Sequence, residues 1–222
     1  MGDDIARPTL TVDIVPLTIH ERHLCVLLAR REQEPFAGRA ALIGGYVHVD
    51  EDKDLEATAR RVLRHKAGIK ELFLEQLMTF SGRTRDPRGW SASVAYFSLT
   101  PADRLAAALD RGLELVRVDR VPPLPFDHVR IIAAAVARLR GKGAYSDLPA
   151  RLLPGPFTLG ELHDVYQLVL GEAINEDAFR RKIMDRGFIE ELAGEKRRTE
   201  GARKPAQLYR LKPGVSVFDR RL

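Results

Sequence analysis

The order of secondary-structure signals changes near residue 144, and this change constrains the fold more than any other feature. Before it, strand patterns interleave with helical ones; after it the order is helix, helix, hairpin. The stretch between them is Gly141-Lys142-Gly143-Ala144-Tyr145-Ser146, followed by the proline-containing Leu148 to Pro156. Its two glycines interrupt the helical period, as a boundary would. A chain of 222 residues with 45% apolar side chains can fill two modest cores. The expected division is residues 1–144 and 145–222.

Several function classes are expected to be absent. The single cysteine, Cys25, lies in an apolar run, which excludes an intrachain disulfide and a cysteine-built metal site and fits a reducing cytoplasm. The start, Met1-Gly2-Asp3-Asp4, is acidic and lacks the apolar stretch of a signal peptide, and no run is long enough to span a membrane.

In the first unit, Leu10, Val12 and Ile14 alternate with other residues as a strand does, with Pro16 expected to mark an edge or bulge. His20 to His23 reads as the turn to a second strand, Leu24 to Leu28. Leu55, Ala59, Val62 and Leu63 recur at helical spacing up to the stop Gly68. Strands are expected at Leu77–Phe80, Ser93–Leu99 and Val116–Val118. A helix is expected from Thr100, with Pro101 in its first position, to Gly112. A last helix starts at Asp127, with Val129, Ile132, Val136 and Leu139 as its apolar stripe.

From Gly45 onward this unit resembles the Nudix box, G-x5-E-x7-R-E-U-x-E-E-x-G-U with U apolar. Gly45, Glu51, Arg61, Leu63, Gly68 and Ile69 match, although nine residues rather than seven separate Glu51 from Arg61. The three helix glutamates are replaced by Val62, His65 and Lys66. In a Nudix enzyme their i, i+3, i+4 spacing stacks them on one face, where they hold Mg²⁺; an ammonium there repels the ion. Neither a catalytic residue nor a metal ligand nor a cofactor is therefore assigned. Asp50, Glu51, Asp52 and Asp54 remain, but in the loop before the helix. The stretches Glu34 to Gly45, Arg85 to Gly89 and Pro125 to His128 resemble further Nudix segments. Ala40 and Ile43 depart from the family's common Trp and Pro. The resemblance implies a nucleotide pocket near Arg39, Gly44, Gly45 and Arg88, with the arginines as forks for phosphate and Phe36 or Phe126 for stacking on adenine.

In the second unit, Thr158-Leu159-Gly160-Glu161 is a capping box that opens a helix stopped by Gly171. Asn175 caps the next helix, Glu176 to Arg186, stopped by Gly187. Phe179 and Ile183 face inward; Asp177, Arg181 and Met184 face out. Strands at Phe188–Leu192 and Gln207–Leu211 bracket a loop from Glu195 to Pro205. From Arg180 to Lys212 there are eleven Lys/Arg and five Asp/Glu, so this stretch exceeds the chain's whole net charge of +5. Such concentration is the electrostatic footprint of a nucleic-acid surface.

Phe179-Arg180-Arg181-Lys182-Ile183 and Arg203-Lys204-Pro205-Ala206-Gln207-Leu208-Tyr209-Arg210 resemble the C-terminal domain of the NrtR family, the Nudix-related transcriptional regulators, and the likeness runs from about residue 8 to residue 213. It implies an α+β fold: a Nudix α/β/α sandwich with a mixed sheet, then a winged helix-turn-helix. It also implies a homodimeric repressor of NAD- or nucleotide-related genes on a palindromic double-stranded operator, released by a small nucleotide such as ADP-ribose. Arg180, Arg181 and Lys182 would position the recognition helix, and Lys196, Arg197, Arg198, Arg203 and Lys204 would touch phosphates or the minor groove. The alternatives are a Nudix pyrophosphohydrolase acting on ADP-ribose-like substrates and an RNA-binding module. The latter fits poorly, because Tyr166, Phe179, Phe188 and Tyr209 sit at core-like positions rather than forming a stacking platform.

Overall fold

The structure is a computed structural model that describes residues 7–70, 73–198 and 204–221. Its spine is β1 (Thr9–His20), which runs parallel to β6 (Ser91–Leu99) from Thr9 opposite Ser91 to Leu17 opposite Leu99. The other edge of β1 is shared. Thr11–Ile14 pair with β4 (Ile43–Tyr46), and Leu17–His20 pair with β2 (His23–Arg30). Pro16 falls at the changeover between these two partners, so the strand passes through a proline that lacks a ladder donor. The sheet is completed by β3 (Ala40–Ala41) and β7 (Glu114–Arg117) on β2, and by β5 (Phe73–Gly82) on β6. Its directions are mixed, as expected.

The period of two in β1 feeds two cores. Val12 and Ile14 pack with Ala59, Val62 and Leu63 of α1 (Leu55–Ala67) on one face. Val15 and Leu17 pack with Ile131, Ile132, Ala135 and Leu139 of α3 (His128–Gly143) on the other. The result is an α/β/α sandwich. Two local expectations need correction. Thr100 does not cap a helix: its N–H extends the sheet by bonding the Leu17 carbonyl at 3.0 Å, and Pro101 leads into a 3-10 turn (Ala102–Arg104) and a separate short α2 (Ala106–Asp110). Val129 is not part of the apolar stripe; it is exposed, and Ile131 and Ala135 take its place.

The second half contains α4 (Leu159–Leu170), α5 (Glu176–Arg186) and a hairpin of β8 (Ile189–Arg197) with β9 (Ala206–Leu211). Both caps act as read: the Thr158 and Glu161 side chains each bond the other's backbone, and Asn175 accepts from Ala178 N at 2.9 Å. Phe157, Leu162, Tyr166, Phe179, Ile183, Phe188 and Tyr209 form the core. Phe157 and Tyr209 exchange backbone bonds of 2.9 and 2.8 Å, adding a third short strand to the hairpin. This is a winged helix. The hairpin differs from its expectation in extent, because β8 continues to Arg197. A bulge between Glu191 and Lys196 lets it do so, and the Gln207 amide pins that bulge by donating to the Leu192 and Glu195 carbonyls.

The glycines at 141 and 143 lie within or at the end of α3 rather than in a loop. Beyond them, Leu148 and Leu152 enter the same core as Val15, Leu17 and Leu139, together with Val165 and Val169 of α4. The buried Tyr166 hydroxyl bonds the Ser146 carbonyl at 2.8 Å, and Arg140 reaches the Val169 carbonyl. Later in the chain, Ser216 and Phe218 bond the backbone of Asp147 and Tyr145, and Phe218 packs on Phe188. The two halves are thus joined by shared apolar burial. Replacing Leu152, 2% exposed, by Ala should cost about 2–5 kcal/mol. Urea unfolding followed by Trp90, the one tryptophan and a residue of the first half, should shift to lower midpoint. An unmoved Trp90 transition would mean that the halves unfold independently.

Candidate effector pocket and nucleic-acid interface

α1 is built against β4. Val62 is buried and packs so tightly over the strand that a Cβ on Gly45 would lie 2.8 Å from its Cγ2. One turn on, the Lys66 ammonium donates to the Gly44 carbonyl at 2.6 Å. Partial desolvation of that ammonium lowers its pKa. Arg61 folds back on the preceding loop, holding Asp52 with two bonds of 2.7 Å, and donates to the Tyr46 carbonyl. The Arg61 guanidinium keeps Asp52 well below the usual carboxylate range. Glu51, the one matched acidic residue of the box, lies 3.9 Å from Arg61. Among the described residues, no group of three or more His, Cys, Asp or Glu side chains is placed to hold a metal ion.

Beneath Gly44 lies a buried polar network that the sequence did not reveal. Asp13 accepts from Ser93 at 2.6 Å and from Arg85 at 3.4 Å, and lies 3.6 Å from the His128 Nε2. Arg85 also forks onto Asp127 at 2.8 and 3.2 Å. Asp127, which stands at the N-cap position of α3, therefore spends its carboxylate on Arg85 and makes no capping bond. His128 Nδ1 accepts the Leu42 N–H at 3.1 Å, which requires a neutral ring with its proton on Nε2, facing Asp13. A Cβ on Gly44 would sit 2.3 Å from the Asp13 carboxylate, so packing alone already demands glycine there.

Beside this network, Phe36 and Phe126 meet edge to face at 5.2 Å. Both have left-handed backbones, with φ of 71° and 57°. Such strain costs on the order of 1–3 kcal/mol per residue and tends to collect where a ligand is held. Arg31 lies 4.9 Å over Phe126 and Arg39 lies 5.7 Å over Phe36. The four expected effector residues are spread over two strands: Arg39 precedes β3, Gly44 and Gly45 form the middle of β4, and Arg88 touches the last residue of β4 through the Tyr46 hydroxyl at 2.6 Å. Arg39 donates to the Pro123 carbonyl at 2.9 Å, and Arg88 is clamped on Asp86 at 2.7 and 3.0 Å. Sequence reasoning missed Asp13, whose signal was a lone charge in an apolar strand, and the positions of Arg31, Lys66 and Arg85.

On the second half, Arg180, Arg181, Lys182 and Met184 are exposed on α5, while Phe179 and Ile183 are buried. Arg180 pairs with Glu176 one turn earlier. Lys196, Arg197, Arg198 and Lys204 are exposed along the hairpin. Arg197 is turned inward, bonding Glu161 and the Pro156 carbonyl, which ties the hairpin to the start of α4. Arg203 lies outside the described residues.

The architecture therefore defines a class: a Nudix sandwich packed on a winged helix with a basic outer face. Residues 7–135 match the family model of the NUDIX domain, and residues 149–211 that of the NrtR DNA-binding winged helix domain. The chain is 36% identical over 211 residues to the ADPR responsive transcriptional repressor NtrR of Acinetobacter baylyi, covering 93% of this chain and 83% of that one. It superposes on the crystal structure of Shewanella oneidensis NrtR complexed with a 27mer DNA at TM-score 0.89 and 37% identity, over 96% of this chain and 99% of the other. The NUDIX domain of S. oneidensis NrtR complexed with ADP ribose matches at TM-score 0.55 and 34% identity, over 63% and 93% of the two chains. The chain belongs to the NrtR family of Nudix-related transcriptional regulators.

Burial pushes the His128 imidazole below its ordinary range, against the opposing pull of Asp13. The unfolded chain takes up a proton there near pH 6.5 and the folded chain only lower, so this contribution to stability is intact above about pH 6.5 and is lost as the pH falls below it. Denaturant titrations between pH 7 and 5 should show an acid-side slope of up to about 1.4 kcal/mol per pH unit from this one group. His128→Asn should remove that component. An unchanged slope in the variant would place the acid sensitivity elsewhere.

Proposed function

We propose that this protein is a transcriptional repressor that binds a palindromic operator as a homodimer in the cytoplasm and leaves it when a nucleotide of the ADP-ribose type binds the Nudix domain. The genes it controls serve NAD or nucleotide metabolism. Residues 1–144 form the effector unit and 145–222 the DNA unit. One observation carries the reading: a Nudix helix presenting Val62, His65 and Lys66 instead of three carboxylates is packed in one body with a basic winged helix. A divalent ion does not fit that donor set, so the domain binds its ligand without hydrolysing it. Two relatives alike over most of the chain support the reading, one by its name and one by its bound DNA.

In this reading α5 enters the major groove, with Arg180, Arg181 and Lys182 positioning it, and Lys196, Arg198, Arg203 and Lys204 track the phosphates. Arg197 contributes chiefly by bracing the hairpin on Glu161. Arg39, Arg88 and the backbone at Gly44 and Gly45 border the effector, with Phe36 and Phe126 as aromatic walls. Release requires that effector and DNA favour different arrangements. Because Leu148 and Leu152 are packed into the shared core, that change is a repacking of the seam and not the slackening of a tether.

The deciding experiment is fluorescence anisotropy on the protein's own upstream DNA, in chelator, with and without ADP-ribose. Specific binding reversed by ADP-ribose is expected. Arg181→Ala, Lys182→Ala and Arg198→Ala should each weaken binding to all sequences, with the slope of log affinity against log salt reduced by about one where a phosphate contact is lost. Binding no better than a salt-sensitive background would remove the repressor reading.

A further inference from the structure

The residue that most contradicts a hydrolase is also the best placed to hold the effector. Lys66 occupies the third metal-side position of the Nudix box, four residues after Val62 on the α1 face that lies on β4. Its ammonium carries three donors, and its hydrogen bond to Gly44 uses one. In the loop before the helix, Asp52 is held by Arg61, and Glu51 lies 3.3 Å from His48 Nδ1 and 3.9 Å from Arg61. The charges felt at Lys66 come from Arg31 and Arg61 on one side and from Glu32 and Asp13 on the other. Asp13 is in turn committed to Ser93, Arg85 and the His128 side. An ammonium that keeps two donors beyond its bond to Gly44, on the helix face where the family carries its metal-binding glutamates, is a site that gains from an incoming anion.

We propose that the Lys66 ammonium takes the place of the Nudix metal ion and binds the diphosphate bridge of the effector directly. The inference rests on the effector reading above and adds to it a ligand class and an independence from metal. An ammonium supplies positive charge and directed donors, which hold a diphosphate. It cannot polarise a phosphorus centre as a divalent ion does, nor generate hydroxide. The same substitution therefore removes hydrolysis and retains recognition. Ligands with two linked phosphates are favoured over monophosphates, because a diphosphate bridge offers oxygens on both phosphates to the two donors that the Gly44 bond leaves on the ammonium.

Isothermal titration calorimetry of the full-length protein tests this with two probes, ADP-ribose and inorganic pyrophosphate, and AMP as the monophosphate control. The wild type should bind ADP-ribose equally, within about twofold, in EDTA and in Mg²⁺. Lys66→Met should weaken both diphosphate probes by about 10- to 100-fold, the range of one charge-assisted hydrogen bond, and Lys66→Arg should restore most of the loss. If Lys66→Met does not fold, Lys66→Gln serves, since the position is solvent-accessible. Equal binding by wild type and the neutral variants, or a requirement for Mg²⁺ in the wild type, overturns the inference while leaving an ADP-ribose-responsive regulator intact. Lys66-dependent binding of pyrophosphate without binding of ADP-ribose sustains the inference and removes that effector. Failure of the wild type to bind either probe removes both.

Discussion

The structure turns on one buried carboxylate. Asp13 sits in the middle of the spine strand, 7% exposed, where an isolated charge would cost more than any single apolar contact returns. It is tolerated because three elements converge on it: Ser93 from the parallel neighbour β6, Arg85 from the loop after β5, and His128 from the first turn of α3. Each partner is then fixed in turn. Arg85 takes Asp127 away from capping and so sets how α3 begins; His128 must stay neutral to accept from Leu42; and Gly44 has no space for a side chain above the carboxylate. The network thereby fixes β1, β4, β6 and the start of α3 relative to one another.

Above this network, the face of α1 that carries the Nudix box positions is closed on the strand rather than left open. Val62 has been absorbed into packing over Gly45, and Lys66 reaches the carbonyl of Gly44, so the helix face that would stack three carboxylates now closes on the strand. Across the strand, the strained pair Phe36 and Phe126 forms an apolar corner flanked by Arg31 and Arg39. Positive charge and aromatic surface are thereby brought together beside the buried carboxylate network.

Much of the architecture was legible locally. The capping box at Thr158, the cap at Asn175 and the stops at Gly68, Gly171 and Gly187 are short-range chemistry, and α1, α4 and α5 have the boundaries those signals imply. What stayed hidden depends on contacts between distant residues. Thr100 and Pro101 look like a helix start, yet Thr100 is drawn into the sheet by Leu17. Leu148 to Pro156 reads as a linker because of its prolines, yet Leu148 and Leu152 find partners in β1 and α3. The continuation of β8 to Arg197 depends on Gln207 across the hairpin, and Arg197 turns inward because Glu161, some thirty-six residues earlier, lies beside it. The box substitutions at Val62, His65 and Lys66 could be read directly, but not the partners those side chains would find.

The return of the chain to the seam carries a consequence for biosynthesis. The backbones of Tyr145 and Asp147 bond those of Phe218 and Ser216, and Phe218 completes the aromatic core beside Phe188. About seventy residues separate the two segments, so a ribosome adding roughly 5–20 residues per second leaves the seam uncovered for some 4–15 seconds after Tyr145 is made. During that interval the sandwich can be complete while Asp147 lacks its bond to Ser216 and Phe188 lacks Phe218, and the nascent chain passes through a stage in which the first half is folded before the second is closed.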